Sequence, residues 1–466
     1  MKILLVAPNH RRILSPGYMK TIQECIGHLP PLGLLSIAGY LLENTSHRVR
    51  VVDALTGDLT PHQVGEIVKE EKPDVVGIHA ITLALLDVLD MVDAVRTADP
   101  SAGVLLGGPH VSVFPGESVG YAGVDFAVAG EGEEPVARLL DMLESGGDPG
   151  EIDGVMTPST GPKTPFIHKD LDSLPPPARH LTSFEKYHTV VSSHPPSTTI
   201  MSSRGCPFCC TFCHTAGGKV FRPRSPEKVV KEVNQCLDMG IREFFFFDET
   251  FTVHRDRVID ICRRLIDGGR EVIWDARCRV DLVDEELLGW MVRAGCRRIQ
   301  YGVESGSAKV LDRLGKGFDP DTAENAIMAT RKAGIAAYAD FMIGNPGETL
   351  EDMEETFLFA RRTRPDYVHF SITMPLPGTP LYQEAMDMGI ISGDSWRGFA
   401  RNPSPDFRVP YWEENFTGEE LEKLLGRAYR EFYFSPGYLI SALGGLTSPG
   451  EALRKARAGF RLLTGL

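Results

Sequence analysis

The feature that most constrains this chain is a cysteine-rich segment at residues 203–214, which reads SRGCPFCCTFCH. Three of its cysteines, Cys206, Cys210 and Cys213, have the spacing C-x3-C-x2-C. A cubic iron–sulfur cluster binds one cysteine thiolate at each iron, so three thiolates from one loop suit three of its irons. Because the segment supplies no fourth ligand, the pattern predicts a 4Fe–4S cluster with one iron open to a ligand that is not protein.

The cysteines have two other possible uses. A structural zinc site would need a second Cys or His pair about 12–20 residues further on, whereas Cys236 and His254 each stand alone downstream. Isolated cysteines usually behave as small buried hydrophobic residues. This interpretation fits the cysteines outside the segment, which are Cys25, Cys236, Cys262, Cys278 and Cys296.

Length, charge and apolar patterning limit the classes of protein to which this chain can belong. The 466 residues predict two or three domains, and the net charge of −14 argues against nucleic-acid binding. The N-terminal segment MKILLVAP lacks the organisation of a signal peptide, and no apolar run reaches the roughly 20 residues of a membrane span. We therefore expect a cytoplasmic protein without a nucleic-acid partner or a transmembrane segment, in which clustered cysteines are metal ligands or catalytic groups and not a disulfide framework.

Residues 1–150 alternate strand and helix patterns and predict an α/β domain. Five short apolar runs indicate buried strands, at 3–6, 49–52, 74–78, 104–106 and 124–128. Such a pattern is typical of a doubly wound parallel sheet with helices on both faces. Sheets of this kind bind ligands at the carboxyl ends of their strands.

Small and polar residues follow these predicted strands. The candidate ligand-binding residues are Asp53, Thr82, Gly107, Gly108, Pro109, His110, Gly130, Glu131 and Gly132. Glycines at such positions let a flat ligand approach the backbone closely. No G-x-G-x-x-G follows the first strand, so the nicotinamide dinucleotide fingerprint is absent. The alternative is that these residues only form tight turns.

The rest of the chain divides into three further parts. Residues 151–195 are rich in proline and predict a connector. Residues 196–400 contain about six further β/α units, which predict a partial (β/α)6 barrel whose active site lies at the carboxyl ends of its strands. Residues 401–466 are predicted to form a small helical region, with a capping box at Thr417 and Glu420 and a last helix that begins near Ser448.

The cysteine spacing, placed after the first strand of a β/α series, resembles the radical S-adenosylmethionine (SAM) superfamily. Together with the preceding α/β domain, the chain resembles the cobalamin-dependent radical SAM enzymes, which include class B methylases and the anaerobic magnesium-protoporphyrin monomethyl ester cyclase. The resemblance covers roughly residues 1–400. It implies three cofactors, a 4Fe–4S cluster on Cys206, Cys210 and Cys213, SAM, and cobalamin, and an electron donor such as flavodoxin or ferredoxin. In that family, reductive cleavage of SAM produces a 5′-deoxyadenosyl radical that abstracts hydrogen from an unreactive C–H bond.

The resemblance also assigns residues to SAM. The segment 247–251 (FDETF) resembles the one that holds the methionine amine, and 301–306 (YGVESG) resembles the ribose-binding segment. Arg277 and Arg279 would lie near the methionine carboxylate, and a simple salt bridge explains them equally well. The expected SAM contacts are Phe212, Asp248, Glu249, Arg277, Glu304, Ser305 and Gly306. The segments 341–349 and 375–382 resemble further sequence marks of the cobalamin-linked branch.

The nine strand-end residues named above would then bind cobalamin. Mutases carry D-x-H-x-x-G after the first strand, which places a histidine on cobalt, whereas residues 7–12 of this chain read APNHRR. We therefore expect that His10 does not ligate cobalt. His79 and His110 are the other candidates, but His79 fits a core position and His110 fits a hydrogen bond within its loop.

The leading hypothesis is methyl transfer to an unactivated carbon of a small molecule that reaches the space between the two domains. An oxidative cyclisation or ring rearrangement is the first alternative, and a cluster-only radical SAM enzyme without cobalamin is the second. The third is a non-catalytic iron–sulfur sensor, which would not need the glycines and carboxylates at both sets of strand ends. Aromatic residues near the C-terminal region indicate either an apolar substrate or a packed lid: Trp396, Phe399, Phe407, Tyr411 and Trp412.

Overall fold

A computed structural model describes residues 1–14, 27–189, 192–214 and 217–439. Within these residues the chain forms two six-stranded sheets and two small two-stranded sheets. Cys25 and the helix predicted near Ser448 lie outside the described residues. No helix in the described part of the chain is long and apolar enough to cross a membrane.

The N-terminal half contributes one six-stranded sheet and part of a two-stranded one. Its strands are β1 (Lys2–Ala7), β2 (Gly27–His28), β3 (Arg48–Asp53), β4 (Val75–His79), β5 (Gly103–Gly107), β6 (Phe126–Val128) and β7 (Val155–Met156). The large sheet has the order β3-β1-β4-β5-β6-β7, and β2 pairs instead with β8 (His188–Thr189). Five strands are parallel as predicted, while β7 is an additional antiparallel strand at the edge.

Helices cover both faces of this sheet. They are α1 (Leu32–Asn44), α2 (Pro61–Glu71), α3 (Leu85–Ala98), α4 (Pro109–Val113), α5 (Pro115–Val119) and α6 (Glu133–Ser145). Alternate residues of β1 enter two separate cores: Ile3 and Leu5 pack with residues of α1 and α6, whereas Leu4 and Val6 pack with residues of α2 and α3. This two-sided burial is the reason that β1 is apolar at consecutive positions.

The second half of the chain forms the barrel-type sheet. The strands in this half of the chain are β9 (Ser197–Ile200), β10 (Ser203–Arg204), β11 (Arg222–Pro223), β12 (Glu243–Phe246), β13 (Ile273–Cys278), β14 (Cys296–Glu304), β15 (Ala336–Ile343) and β16 (Tyr367–Ile372). Strands β10 and β11 pair with each other in a separate two-stranded sheet. The large sheet runs β9-β12-β13-β14-β15-β16, with every pair parallel. This sequential order of six parallel strands is the predicted partial (β/α)6 barrel.

Helices follow most of these strands. They are α7 (Pro226–Asp238), α8 (Arg255–Asp267), α9 (Glu285–Arg293), α10 (Ala308–Arg313), α11 (Pro320–Lys332), α12 (Leu350–Thr363), α13 (Pro380–Asp387), α14 (Ser395–Arg401) and α15 (Gly418–Tyr433). The predicted capping box of Thr417 and Glu420 is formed at the start of α15. The C-terminal region is therefore helical over part of its described length.

The strands of the barrel-type sheet have one apolar and one polar face. On β14, Ile299, Tyr301 and Val303 are fully buried in the core beneath the helices. The alternate residues, which include Gln300 and Glu304, point to the opposite face because side chains alternate along a strand. We call this opposite face the inner face of the barrel, and it is lined by charged and polar groups.

An apolar cluster joins the two halves of the chain. Leu85 and Phe114 of the N-terminal half pack in one cluster with Trp396, Phe399 and Trp412. The three aromatic side chains are at most 3% exposed. The aromatic region identified in the sequence therefore forms a packed connection between the halves, which favours the lid interpretation over a substrate-lining surface.

Candidate active site

The cysteine loop leaves the barrel directly after β9. Its two ends are joined by antiparallel pairing of β10 with β11, in which Ser203 faces Pro223 and Arg204 faces Arg222. Gly205 begins the loop with φ +87°, and a Cβ there would lie 2.1 Å from the carbonyl oxygen of Val220. Only glycine fits this close approach, so the loop is fixed at the point where the first predicted ligand follows.

The three predicted cluster cysteines share one neighbourhood, whereas Cys209 is exposed. Burial raises the pKa of Cys213 to about 11, and the charges of Cys210 and Cys206 add to this effect. Among the described residues, the only His, Cys, Asp or Glu trio whose ligand atoms all lie within 4.8 Å is His47, Asp141 and Glu144. Sulfurs bound to one zinc at about 2.3 Å would lie closer together than that limit. Three thiolates from one loop are the donor set that suits three different irons of a cubic cluster.

Asp248 anchors the start of the cysteine loop from below. Its side chain is completely buried, and it accepts hydrogen bonds from the Ser202 backbone (2.7 Å), the Ser202 hydroxyl (2.6 Å) and the Ser203 hydroxyl (2.6 Å). Burial raises the pKa of Asp248, and the two serines oppose that rise. The predicted SAM contact therefore lies beneath the loop, where it positions the cysteines.

Glu249, the next residue, faces the loop itself. Its carboxylate accepts from the Gly205 backbone at 3.2 Å and from the Gly217 backbone at 3.3 Å, on the two sides of the loop. The hydroxyl of Thr250 lies 3.6 Å from Sγ of Cys206. Residues 248–250 thus contact the cysteine loop, and the assignment of the segment 247–251 to the methionine amine stays a prediction.

The inner face carries several charges next to this loop. The Arg277 guanidinium is exposed to solvent on the inner face and lies 4.0 Å over the centre of the Phe247 ring. Crowding by surrounding protein lowers the pKa of Arg277, and the charges of Asp340 and Glu249 oppose this. The Gln300 amide donates to Asp340 at 2.7 Å. These groups give the inner face a polar and charged lining next to the cysteine loop.

Glu304 is held in an unusual backbone conformation at the end of β14. Its φ is +71°, in the left-handed region that side chains rarely adopt, and Nζ of the buried Lys316 lies 3.0 Å from its Oε1. A Cβ on Gly302 would lie 2.5 Å from this oxygen, so the neighbouring glycine makes room for the carboxylate. Burial raises the pKa of Glu304, and Lys316 opposes the rise.

Lys316 connects Glu304 to the cysteine loop, a role that no sequence motif indicated. Its Nζ lies 5.8 Å from the ring centre of Phe212, which precedes Cys213. Phe212 and Glu304, both predicted to contact SAM, therefore lie near the same ammonium group. The assignment of both residues to SAM stays a prediction.

Ser305 and Gly306, also predicted to contact SAM, pack against helix α12. The Ser305 hydroxyl is buried 3.0 Å from the Thr356 hydroxyl, which also accepts from the Gly306 backbone at 3.0 Å. A Cβ on Gly306 would lie 2.6 Å from Cβ of Phe359. Because Thr356 and Phe359 belong to α12, these two residues hold strand and helix together.

The sheet edge that is predicted to bind cobalamin has free space next to the backbone at Gly107. A Cβ added to Gly107 would meet no heavy atom within 4 Å, so a flat group can approach the backbone there. Gly108 has φ +111°, and its added Cβ would lie 2.8 Å from the Ala80 carbonyl oxygen. Pro109 then begins α4. This edge fits the close approach of a planar ligand to the end of β5.

Both ring nitrogens of His110 lie within hydrogen-bond distance of protein hydroxyl groups. Its Nδ1 lies 3.1 Å from the Thr82 hydroxyl, and its Nε2 lies 3.0 Å from the Tyr121 hydroxyl. Burial lowers the pKa of His110 to about 4, so the ring is neutral at pH 7. The hydrogen-bonding role predicted for His110 agrees with this geometry.

His10 and His79 are close neighbours, although they are 69 residues apart in the chain. Burial lowers the pKa of His79 to about 4, and the charge of His10 adds to this effect. Burial also lowers the pKa of His10, against the charges of Asp87 and Asp53. The sequence predicted a core position for His79 but gave no sign of this pair.

The remaining predicted cobalamin residues are occupied by protein contacts. Asp53 accepts from the backbone of Leu55 (3.1 Å) and from the Tyr187 hydroxyl (2.8 Å). Added Cβ atoms would lie 2.2 Å from the Phe166 carbonyl oxygen at Gly130 and 2.8 Å from the Ile37 side chain at Gly132. Both glycines therefore serve the packing of their own chain, and the assignment of these residues to cobalamin stays a prediction.

Glu131 links the edge of the first sheet to the cysteine loop. It accepts from Arg222 at 2.6 Å and 3.1 Å, pairs with Arg204 at 3.1 Å, and accepts from the His168 backbone at 2.8 Å. Arg204 also bonds to Glu133 at 2.6 Å. Since Arg204 and Arg222 form the base of the cysteine loop, the two predicted cofactor sites are in direct contact through this carboxylate.

Comparisons with known proteins agree with this architecture. Residues 22–140 match the model of the B12 binding domain, and residues 200–360 match that of the radical SAM superfamily. An uncharacterized methyltransferase of Pyrococcus horikoshii is 34% identical over 449 residues, which cover 94% of each chain. The anaerobic magnesium-protoporphyrin IX monomethyl ester cyclase of Rubrivivax gelatinosus is 30% identical over 94% of this chain and 78% of its own.

The fold also matches a solved structure. The cobalamin-dependent SAM radical enzyme OxsB, solved with aqua-cobalamin and SAM bound, aligns with a TM-score of 0.74 over 98% of this chain and 70% of its own, at 19% identity. The predicted fold class is thereby confirmed. A cysteine loop that can hold an iron–sulfur cluster, next to a B12-binding sheet, defines the class of radical enzymes that use both SAM and cobalamin. The chain belongs to the cobalamin-dependent radical SAM enzymes, whose cofactors are a 4Fe–4S cluster, SAM and cobalamin.

Proposed function

We propose that this enzyme transfers a methyl group to an unactivated carbon of a small molecule. The observation that carries the proposal is the bonding of Glu131 to Arg204 and Arg222, which holds the edge of the B12-type sheet against the cysteine loop. A methyl donor and a radical act on the same carbon only when both are held next to it. The most similar relative described above is also named a methyltransferase.

Different residues of the chain have different roles in this proposal. Cys206, Cys210 and Cys213 hold the cluster, and Asp248 and Glu249 fix the loop that carries them. When bound, the cluster and SAM supply a radical that abstracts hydrogen, and cobalamin supplies the methyl group. The polar inner face binds the charged end of SAM and limits the access of water. The open edge at Gly107 receives the corrin.

Three finer assignments belong to the same proposal. The cluster receives electrons one at a time from a low-potential donor such as flavodoxin or ferredoxin. The chain divides into a cobalamin domain at 1–150, a connector at 151–195, a radical SAM core at 196–400 and a helical region at 401–466. The cytoplasmic location stays a prediction of the sequence.

The methyl route can be tested without knowledge of the substrate. Anaerobically reconstituted enzyme with reduced corrinoid is mixed with SAM that is labelled in its methyl group. We expect about one S-adenosylhomocysteine per bound corrinoid, with the label retained by the protein-bound corrinoid. No transfer of label, combined with formation of 5′-deoxyadenosine, would contradict methyl transfer and favour the cyclase-type alternative suggested by the second relative.

Turnover in a cell extract then completes the test. One 5′-deoxyadenosine and one S-adenosylhomocysteine per product are expected for methyl transfer. The matched controls are Cys210→Ala, which should abolish 5′-deoxyadenosine, and Cys209→Ala, which should not. A reconstituted protein that shows no corrinoid absorbance would instead support the cluster-only alternative.

A further inference from the structure

A second arginine, Arg279, lies against the cysteine loop. It follows β13, and its side chain is 8% exposed. The guanidinium carbon lies 3.7 Å from the centre of the Phe208 ring, which belongs to the loop itself. Its Nη1 lies 4.0 Å from Sγ of Cys210. A buried cation therefore faces the sulfur of a predicted cluster ligand.

The orientation of this guanidinium is fixed by its other nitrogens. Nε and Nη2 donate to the two carboxylate oxygens of Asp281 at 2.9 Å and 3.1 Å, and Nη2 also donates to the Lys316 carbonyl oxygen at 2.5 Å. Because a guanidinium is planar, these bonds determine where the remaining nitrogen points. Nη1 is left to face the sulfur of Cys210.

We propose that Arg279 is a positioning residue that raises the reduction potential of the cluster through the thiolate of Cys210. The proposal rests on the assignment of Cys210 as a cluster ligand. Reduction adds one electron from an external low-potential donor to the oxidised cluster, which becomes more negative by one charge. A cation and an N–H donor at a ligand sulfur stabilise that added charge.

Burial makes this stabilisation effective. Interactions between charges strengthen as water is excluded, because the effective dielectric constant falls. Asp281 offsets part of the charge of Arg279, but its side chain is 26% exposed and is better screened by solvent. The nearby Lys316 is paired with Glu304 at 3.0 Å. Arg279 is thus a buried cation in direct contact with the sulfur of Cys210, while Lys219 and Lys316 add their charges near Cys213.

A competing role is the binding of the SAM carboxylate, which the sequence also suggested for Arg279. The nitrogens of Arg279 that bind Asp281 and the Lys316 carbonyl would have to release them to take a carboxylate. The two roles differ in a measurable way. A tuning residue acts on the cluster before SAM is present, whereas a carboxylate ligand acts only on SAM binding.

The test is a redox titration of the full-length reconstituted protein without SAM, followed by electron paramagnetic resonance of the reduced cluster. Arg279→Gln removes the charge, and we expect a loss of about tenfold in the equilibrium constant for reduction, which is a midpoint about 60 mV more negative for one electron. Arg279→Lys keeps a charge without the planar fork and should shift less. The matched control is Arg293→Gln, since Arg293 is an exposed residue of α9 that lies 3.9 Å over the Trp290 ring. It should not shift the midpoint.

The possible outcomes separate the interpretations. A wild-type midpoint in Arg279→Gln, at equal iron and sulfide content, overturns the proposal. Weaker SAM binding with an unchanged midpoint assigns Arg279 to the carboxylate and also overturns it. If Arg279→Gln retains no iron, Arg279→Met, which removes the charge but keeps the length of the side chain, replaces it, and a wild-type midpoint there overturns the proposal. Retention of the cluster by Cys210→Ala would show instead that the ligand assignment has failed.

Discussion

Replacement of Glu131 by Gln tests the connection between the two sheets. The substitution preserves the shape of the side chain but removes the charge that binds Arg222 twice and Arg204 once. A hydrogen bond to a charged group is worth about 1.5–3 kcal/mol. Because the amide of Gln has one acceptor oxygen where the carboxylate has two, it cannot keep all three contacts, and we expect the substitution to cost about 3 kcal/mol. The side chain of Glu131 is only 10% exposed, which limits screening by solvent.

This free energy corresponds to a change of about 100-fold in the equilibrium between the docked and undocked cysteine loop. If iron leaves through the undocked loop, its capture by a chelator should accelerate by about the same factor. The assay follows the loss of cluster absorbance under anaerobic conditions in excess chelator. Glu134→Gln is the matched control, because Glu134 lies three residues away and pairs only loosely, at 3.9 Å, with Arg138 of its own helix.

The expected result is fast iron loss in Glu131→Gln and wild-type loss in Glu134→Gln. Equal rates in wild type and Glu131→Gln would refute the reasoning, since the loop would then be held by other contacts. Equal acceleration in both variants would also refute it, because the effect would follow from the charge of the segment and not from the contact with the arginines.

Three further predictions follow from individual residues. Cys206→Ala, Cys210→Ala and Cys213→Ala should each lose the cluster, whereas the exposed Cys209→Ala should keep it; equal iron loss in all four would mean that the wrong three cysteines were chosen. Gly130→Ala should lower the thermal unfolding midpoint more than Gly146→Ala does. Both glycines have positive φ, which costs about 1–2 kcal/mol for alanine, but only at Gly130 would the added Cβ lie 2.2 Å from a carbonyl oxygen. Burial lowers the pKa of His110 to about 4 from an unfolded value of about 6.5, so the stability that this neutral histidine contributes is present above pH 6.5 and is lost as the pH falls towards 4. The thermal midpoint of His110→Gln should therefore depend less on pH over this range, and an unchanged slope would contradict the shift.

Local patterns predicted most of the fold. The two-sided burial of Ile3 to Val6 and the capping box at Thr417 are encoded within a few residues, and the structure contains each of them. Strand boundaries moved by one or two residues, as in β4, which was expected at 74–78 and lies at Val75–His79. The antiparallel β7 was missed, because two residues inside a Pro-rich segment carry no periodic pattern.

Contacts between distant segments could not be predicted in this way. Glu131 was identified as a residue at a strand end, yet its partners lie 73 and 91 residues further along the chain. Lys316 lacks a motif, and Arg279 was considered only for the methionine carboxylate or a salt bridge. The approach of both residues to the cysteine loop depends on how β13 and the segment after β14 are placed in space. Periodicity reports which face a side chain takes, but it does not report which other segment that face meets.

The neighbouring residues Asp248 and Glu249 show why a family motif identifies a segment better than it identifies roles. Both were assigned to SAM, but Asp248 is completely buried and binds the serines before the cysteine loop, while Glu249 bonds to backbone groups on both sides of it. Glu131 holds the base of the same loop from the other sheet. Three carboxylates therefore fix one loop from three directions. Their hydrogen bonds and ion pairs restrict the loop that carries the predicted cluster ligands, a structural role that the family motif did not indicate.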